Sequence, residues 1–188
     1  RYQIRVEGIV QGVGFRPFIY GLAIQSCYSG YVLNDVEGVL LEIQGQDIDI
    51  ENFCQCIKTK APKASYITNI SYHEIDVICD DKEFIIQKSP QGLTKETLIS
   101  PDLAICEDCK REIKDKNNRR YQYAFTNCTN CGPRFSIVQD IPYDRQNTTM
   151  KVFPMCKKCE DEYTNPLARR FHAQPNACDI CGPQYKLV

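Results

Sequence analysis

The chain has 188 residues and a formal net charge of −1. That length suits one or two domains with a real core, and that charge leaves no global field to draw the chain onto nucleic acid or an anionic membrane. No stretch resembles a signal peptide, and no apolar run approaches the roughly 20 residues of a membrane helix.

Elements follow in order. "YQIRVEG" alternates as a strand does and stops at Gly8. Phe15, Phe18, Ile19 and Leu22 then fall at helical spacing, with Pro17 near the start of the run, where a missing N–H costs nothing. "SGYVLND" and "VLLEIQG" predict two strands joined by a turn at "VEG". "DIDIENFCQCIKTK" predicts a helix with Ile50, Phe53 and Ile57 on one face, "SYITNISYHEID" a strand, and "EFIIQK" a short edge strand. The order βαββαβ predicts an α+β fold, the ferredoxin-like split βαβ sandwich. His73 falls in the late strand and is read as structural; Cys27, Cys54, Cys56 and Cys79 are read as small hydrophobes or free thiols.

Between the first strand and helix lies "VQGVGFRPF", residues 10–18. A glycine-rich loop that runs into a helix N-terminus aims several N–H groups at one spot, where the helix dipole favours a phosphate. Gly12 and Gly14 allow close backbone approach. Arg16, in the first turn, offers a planar fork that matches phosphate oxygens. An ordinary turn with a surface arginine is the alternative reading of these residues alone.

"VQGVGFR" after a strand ending in glycine resembles the acylphosphatase signature, and "GYVLNDVEGVLLEIQG" resembles the partner segment that carries that family's asparagine. The resemblance covers roughly residues 1–90. It implies that the backbone of Gln11, Gly12, Val13, Gly14, Phe15 and Arg16, together with the Arg16 side chain, binds phosphate, and that Asn34 positions the attacking water. An acyl phosphate loses a weakly basic, carboxylate-like leaving group, so charge clamping and orientation of water suffice and no general acid is needed.

The stretch "KSPQGLTKETLISPD", with two prolines, a glycine and no sustained periodicity, predicts a linker at 91–101 between a domain at 1–90 and a second at 102–188. Charge changes across this boundary. Residues 1–100 hold 9 basic and 13 acidic side chains, and the remainder 14 and 11.

The second half is a duplication. Cys106, Cys109, Cys128 and Cys131 recur 50 positions on as Cys156, Cys159, Cys178 and Cys181, with 18 residues between the pairs of each set. Arg119-Arg120 recurs as Arg169-Arg170, Tyr121 as Phe171, and Cys131-Gly-Pro as Cys181-Gly-Pro. The repeats span about 102–137 and 152–187. Disulfide frameworks belong to oxidising compartments. With no export signal, two tetrathiolate sites for structural Zn²⁺ are the better reading, and the cytoplasm the expected location. Each zinc would supply roughly 10–16 kcal/mol of folding free energy. Pairing within each repeat is expected, with crossed pairing left open. His172 is read as a polar loop residue ahead of a substitute ligand or a donor to the cysteines. The four arginines are read as pairing internally or facing a neighbouring domain, ahead of a nucleic-acid surface.

An acylphosphatase-like half followed by two such modules resembles the hydrogenase maturation carbamoyltransferases, the HypF family, over essentially the whole chain. "VQGVGFRPFIY", "SPDLAICEDC", "FTNCTNCGPRFSI", "IPYDR" and "RRFHAQPNACDICGP" carry the resemblance. It implies carbamoyl phosphate as substrate, split to carbamate and phosphate on the way to the cyanide ligands of [NiFe]-hydrogenase. It further implies a YrdC-like domain that uses ATP, a carbamoyl-transfer domain, and a HypE-type acceptor protein. Beginning at Arg1 and ending at Val188, the chain is expected to be a fragment without those later domains, and so not to complete the transfer alone. Two other readings stay open: a catalytically silent, zinc-dependent scaffold, and a nucleic-acid-binding zinc protein.

Overall fold

A computed structural model describes residues 1–89 and 98–185. Strand β1 (Tyr2–Ile9) leads through the glycine loop into helix α1 (Phe15–Gln25). Strands β2 (Ser29–Asn34) and β3 (Val39–Gln44), helix α2 (Ile50–Lys60) and strands β4 (Tyr66–Glu74) and β5 (Phe84–Ile86) complete the unit. The sheet order is β4-β1-β3-β2-β5, with β5 parallel to β2 and the other neighbours antiparallel. This is the expected split βαβ sandwich with its edge strand.

Strand alternation sends Ile4, Val6, Val39, Leu41, Ile43 and Val32 to one face. There they pack under Phe15, Ile19 and Leu22 of α1 and Phe53, Cys54 and Ile57 of α2, all buried. The core accounts for the helical spacing in the sequence: a stripe at i, i+3, i+4 is what a sheet can cover. The opposite face carries a polar row. Glu42 accepts from Gln3 (3.0 Å), from Tyr31 (2.7 Å) and from Arg1 (2.6 Å), and is held below the usual carboxylate range by these partners against the opposing effect of burial. His73 is an exposed residue of β4, opposite Gln3, and Cys54 is indeed a core residue while Cys27 and Cys79 are exposed.

The cysteine-rich half holds helices α3 (Glu107–Lys114) and α4 (Lys157–Thr164) and four short 3₁₀ turns. Each helix begins directly after the first cysteine of its repeat. The duplication is structural as well as sequential. Gln122 N donates to Ile113 O and His172 N to Tyr163 O, both at 2.9 Å, and both residues take positive φ (57° and 53°). The linker expected over 91–101 lies mostly outside the described residues. Within its described end Ile99 bridges to Gln11 and Ser100 is buried.

Candidate active site and metal centres

Each repeat gathers its own four cysteines. Cys106, Cys109, Cys128 and Cys131 form one group and Cys156, Cys159, Cys178 and Cys181 the other, the sulfurs of each lying within 4.8 Å of one another. Crossed pairing is thereby excluded. Neighbouring sulfurs are 3.6 Å (Cys106–Cys128), 3.7 Å (Cys128–Cys131) and 3.8 Å (Cys156–Cys178) apart. Four thiolates about 2.3 Å from a tetrahedral Zn²⁺ sit about 3.8 Å apart, so the residues fit that ion. All twelve cysteines are free thiols here, far from the geometry of a disulfide.

Sequence reasoning pairs the arginines internally, and the structure shows how: they serve the opposite repeat. Arg119 donates to Cys159 Sγ at 2.8 Å, and Arg169 to Cys109 Sγ at 3.0 Å. Arg120 forks onto Glu162 (2.6 and 2.9 Å) and donates from Nε to Ala177 O (2.9 Å). Arg170 mirrors it, on Glu112 and on Asn127 O (2.9 Å). A tetrathiolate zinc carries net negative charge, and each repeat lends the other's site two cations.

Neither group contains His172. Its ring lies 5.0 Å from Tyr163 and 4.7 Å from Phe171. Burial, with Arg16 adding to it and Asp144 opposing, depresses its pKa to about 4, so it is neutral near pH 7. It lines the cavity over the glycine loop, not a metal site.

At the loop, Gly12 (φ 72°) and Gly14 (φ 78°) take left-handed conformations that favour glycine, and a Cβ on Gly12 would stand 2.5 Å from Pro133. Gly14 caps α1 with no side chain bonded to the helix start, leaving the first-turn N–H groups available to an anion. Val13 and Phe15 bury their side chains in or beside the core. The Gln11 amide is fully buried, donating at 2.7 Å to the Asp35 and Gly38 carbonyls and accepting from Tyr143 N at 2.9 Å. Asn34, at the end of β2, and Arg16 meet at one point: both donate to Tyr143 O at 3.4 Å.

Sequence reasoning missed what lies on top. The segment between the repeats, anchored by Gln11 at Tyr143 and by Arg145 on the Gln174, Asn176 and Phe153 carbonyls, delivers Asp144 to Arg16 at 2.7 Å. Tyr20 of α1 meets Phe171 edge to face at 5.4 Å. Only the quoted "IPYDR" touched this region, and spacing gave it no role. The enclosed cavity has a volume of about 20 Å³ and is walled by Gly12, Gly14, Arg16, Asn34, Asn127 and His172 among others. On the other side of the Arg16–Asp144 pair lies an open groove of about 680 Å³, lined by Lys88, Lys151 and Arg145 and by the carboxylate of Glu160.

The acylphosphatase family matches residues 2–86, and the HypF finger matches 105–138 and again 155–188. The chain is 50% identical over 148 residues to the probable carbamoyltransferase HypF of Methanocaldococcus jannaschii, covering 78% of this chain and 19% of that one. It is 41% identical to the acylphosphatase of Thermotoga petrophila over 73 residues, 38% of this chain and 80% of that enzyme. A crystal structure of full-length HypF in the phosphate- and nucleotide-bound form aligns with a TM-score of 0.88 at 51% identity, over 97% of this chain and 24% of that one. The chain thus spans about a fifth of the length of the curated carbamoyltransferases it matches. Among the described residues no helix is long and apolar enough to cross a membrane. The chain belongs to the HypF family, of which it carries the acylphosphatase domain and the paired fingers.

Proposed function

We propose that the chain hydrolyses carbamoyl phosphate to carbamate and phosphate. The observation that supports this best is the convergence of an uncapped helix start, Arg16 and Asn34 on one buried cavity. The phosphoryl group is held by the N–H groups of the Gly12–Arg16 loop and by the Arg16 fork. Asn34 orients a water whose oxygen bonds to phosphorus as the bond to the carbamate oxygen breaks. Carbamate leaves as an anion of low basicity, so the neutral His172 is not needed as an acid. The finger cysteines hold two structural Zn²⁺, which keep the inter-repeat segment in place over the loop.

In this reading the chain divides at the linker into 1–90 and 102–188, and works in the cytoplasm. The later steps of [NiFe]-hydrogenase maturation, with ATP and a HypE-type acceptor, fall to parts of longer family members. The test is release of phosphate from carbamoyl phosphate by the zinc-loaded chain. Turnover that vanishes in Arg16→Ala and Asn34→Ala supports the assignment, and turnover unchanged in both removes it.

A further inference from the structure

We infer that the first finger completes the acyl-phosphate site, and that Asn127 selects the acyl group by accepting a hydrogen bond from its N–H. The inference rests on the cavity being the substrate site proposed above. Two buried side-chain oxygens on its wall have no partner among the described residues, Asn34 Oδ1 and Asn127 Oδ1. The two residues are 1% and 3% exposed. Their orientation is set by carbonyls, which can only accept: Asn34 Nδ2 faces Tyr143 O at 3.4 Å, and Asn127 Nδ2 faces Gly132 O at 3.5 Å. Both amide oxygens are thus left to a ligand's donors, since a buried acceptor without a donor is a cost that folding alone does not require.

A phosphoryl group has only acceptors and belongs at the helix start and Arg16. An attacking water uses the Asn34 oxygen, and the Asn127 oxygen then remains. A carbamoyl group carries an NH₂ that satisfies it; the methyl of an acetyl group leaves it unpaired. Sites built to hydrogen-bond a ligand N–H or O–H reject analogues that lack it far more strongly than apolar pockets do.

The duplication shows that the fold does not demand this side chain. Asn127 O and Ala177 O occupy equivalent places, each accepting from the arginine Nε of the other repeat at 2.9 Å. Ala177 is buried to the same degree, 3% exposed. The polar member of the pair is the one that lines the cavity. Asn127→Ala therefore reproduces what the second repeat already tolerates.

The experiment uses two inert isosteres, phosphonoacetamide for carbamoyl phosphate and acetonylphosphonate for acetyl phosphate, titrated calorimetrically into the zinc-loaded chain. The wild type is expected to bind the amide at least tenfold more tightly. In Asn127→Ala the preference falls below threefold while acetonylphosphonate affinity stays within threefold of wild type. An equal affinity of the wild type for both, or a preference that survives Asn127→Ala, overturns the role of Asn127 and leaves the phosphate-release reading standing. Failure of both isosteres to bind the wild type overturns both readings, and binding of the amide alone supports the selection. Selective binding without any phosphate release removes the hydrolysis reading alone and supports the selection.

Discussion

Asp144 occupies the cation that the proposed reaction needs, and replacing it with Asn tests that competition. The Arg16–Asp144 contact is 2.7 Å between side chains 7% and 13% exposed. At an effective dielectric constant near 20 the gross attraction is about 6 kcal/mol, most of it offset by the desolvation of both ions. Losing the carboxylate leaves a buried guanidinium with a neutral partner, so Asp144→Asn is expected to lower stability by about 3 kcal/mol. Phosphate affinity should move the other way. The cavity of about 20 Å³ suits a single water, so a phosphoryl group gains access only when Asp144 yields from Arg16. Removing a negative charge about 5 Å from the bound phosphate, at the effective dielectric constant of about 40–60 of a site opened to water, relieves about 1–2 kcal/mol, a five- to thirtyfold gain in affinity. The assay is calorimetric titration with inorganic phosphate, beside urea unfolding with and without saturating phosphate. Linkage requires the stability gap between variant and wild type to narrow by the same 1–2 kcal/mol when phosphate is present. Phosphate binding that is unchanged or weaker in Asp144→Asn would refute the competition and make Asp144 the group that aims the guanidinium.

Arg16→Ala should reduce phosphate release from carbamoyl phosphate by about 10²–10³-fold, the usual loss for one preorganised donor, with the sheet unit's far-ultraviolet signature retained. Elemental analysis should return two zincs per chain; a strong chelator should then unfold the cysteine-rich half, whose sites supply roughly 10–16 kcal/mol each, while the sheet of 1–89 persists. Arg169→Ala should speed zinc loss from the Cys106 group, in the other repeat, and leave the Cys156 group slower; a chromogenic chelator resolves the two phases, and the reverse order would contradict the crossed arrangement. His172 is neutral in the folded chain, with a pKa of about 4 against an unfolded value near 6.5. Its contribution to stability is therefore complete above pH 6.5 and is lost progressively between pH 6.5 and 4, by about 3 kcal/mol in all. His172→Gln should flatten the urea-unfolding profile over that window relative to wild type.

What the sequence made legible was whatever a local period encodes. Strand alternation in Ile4 and Val6, the stripe of Phe15, Ile19 and Leu22, and the 18-residue spacing within each cysteine set all describe a neighbour a few residues away or a repeat at fixed distance. Even "EFIIQK" announced its edge strand, since an isolated apolar triplet needs a sheet to lean on. Asp144 was invisible because its meaning depends on Gln11, a residue 133 positions earlier that anchors the neighbouring Tyr143 to the loop. His172 reads in the sequence as a polar loop residue, and nothing local announces a cavity wall. The left-handed turn after α4 instead directs its ring between Tyr163 and Phe171 and onto the cavity. The arginines were legible as internally paired, but not as crossed, because nothing in a tandem repeat states which copy a side chain serves.

The two repeats also report which residues answer to the metal and which to the loop. Where they agree, in the cysteines, the acid on each repeat's helix, the Arg-Arg pair after it and the Gly-Pro after the last thiolate, the residues build the zinc sites. At three of the positions where they differ, one copy faces α1 or the cavity over the glycine loop. Phe171 packs on Tyr20 while its counterpart Tyr121 is exposed. His172 walls the cavity where the first repeat has Gln122, and Asn127 does so where the second has Ala177. These departures come from both repeats and converge on one cavity, so the site belongs to neither finger alone. A shared cavity with polar walls from both repeats is what a substrate site needs, and exchanging Asn127 with Ala177 in one chain should abolish selection for the amide isostere without releasing zinc.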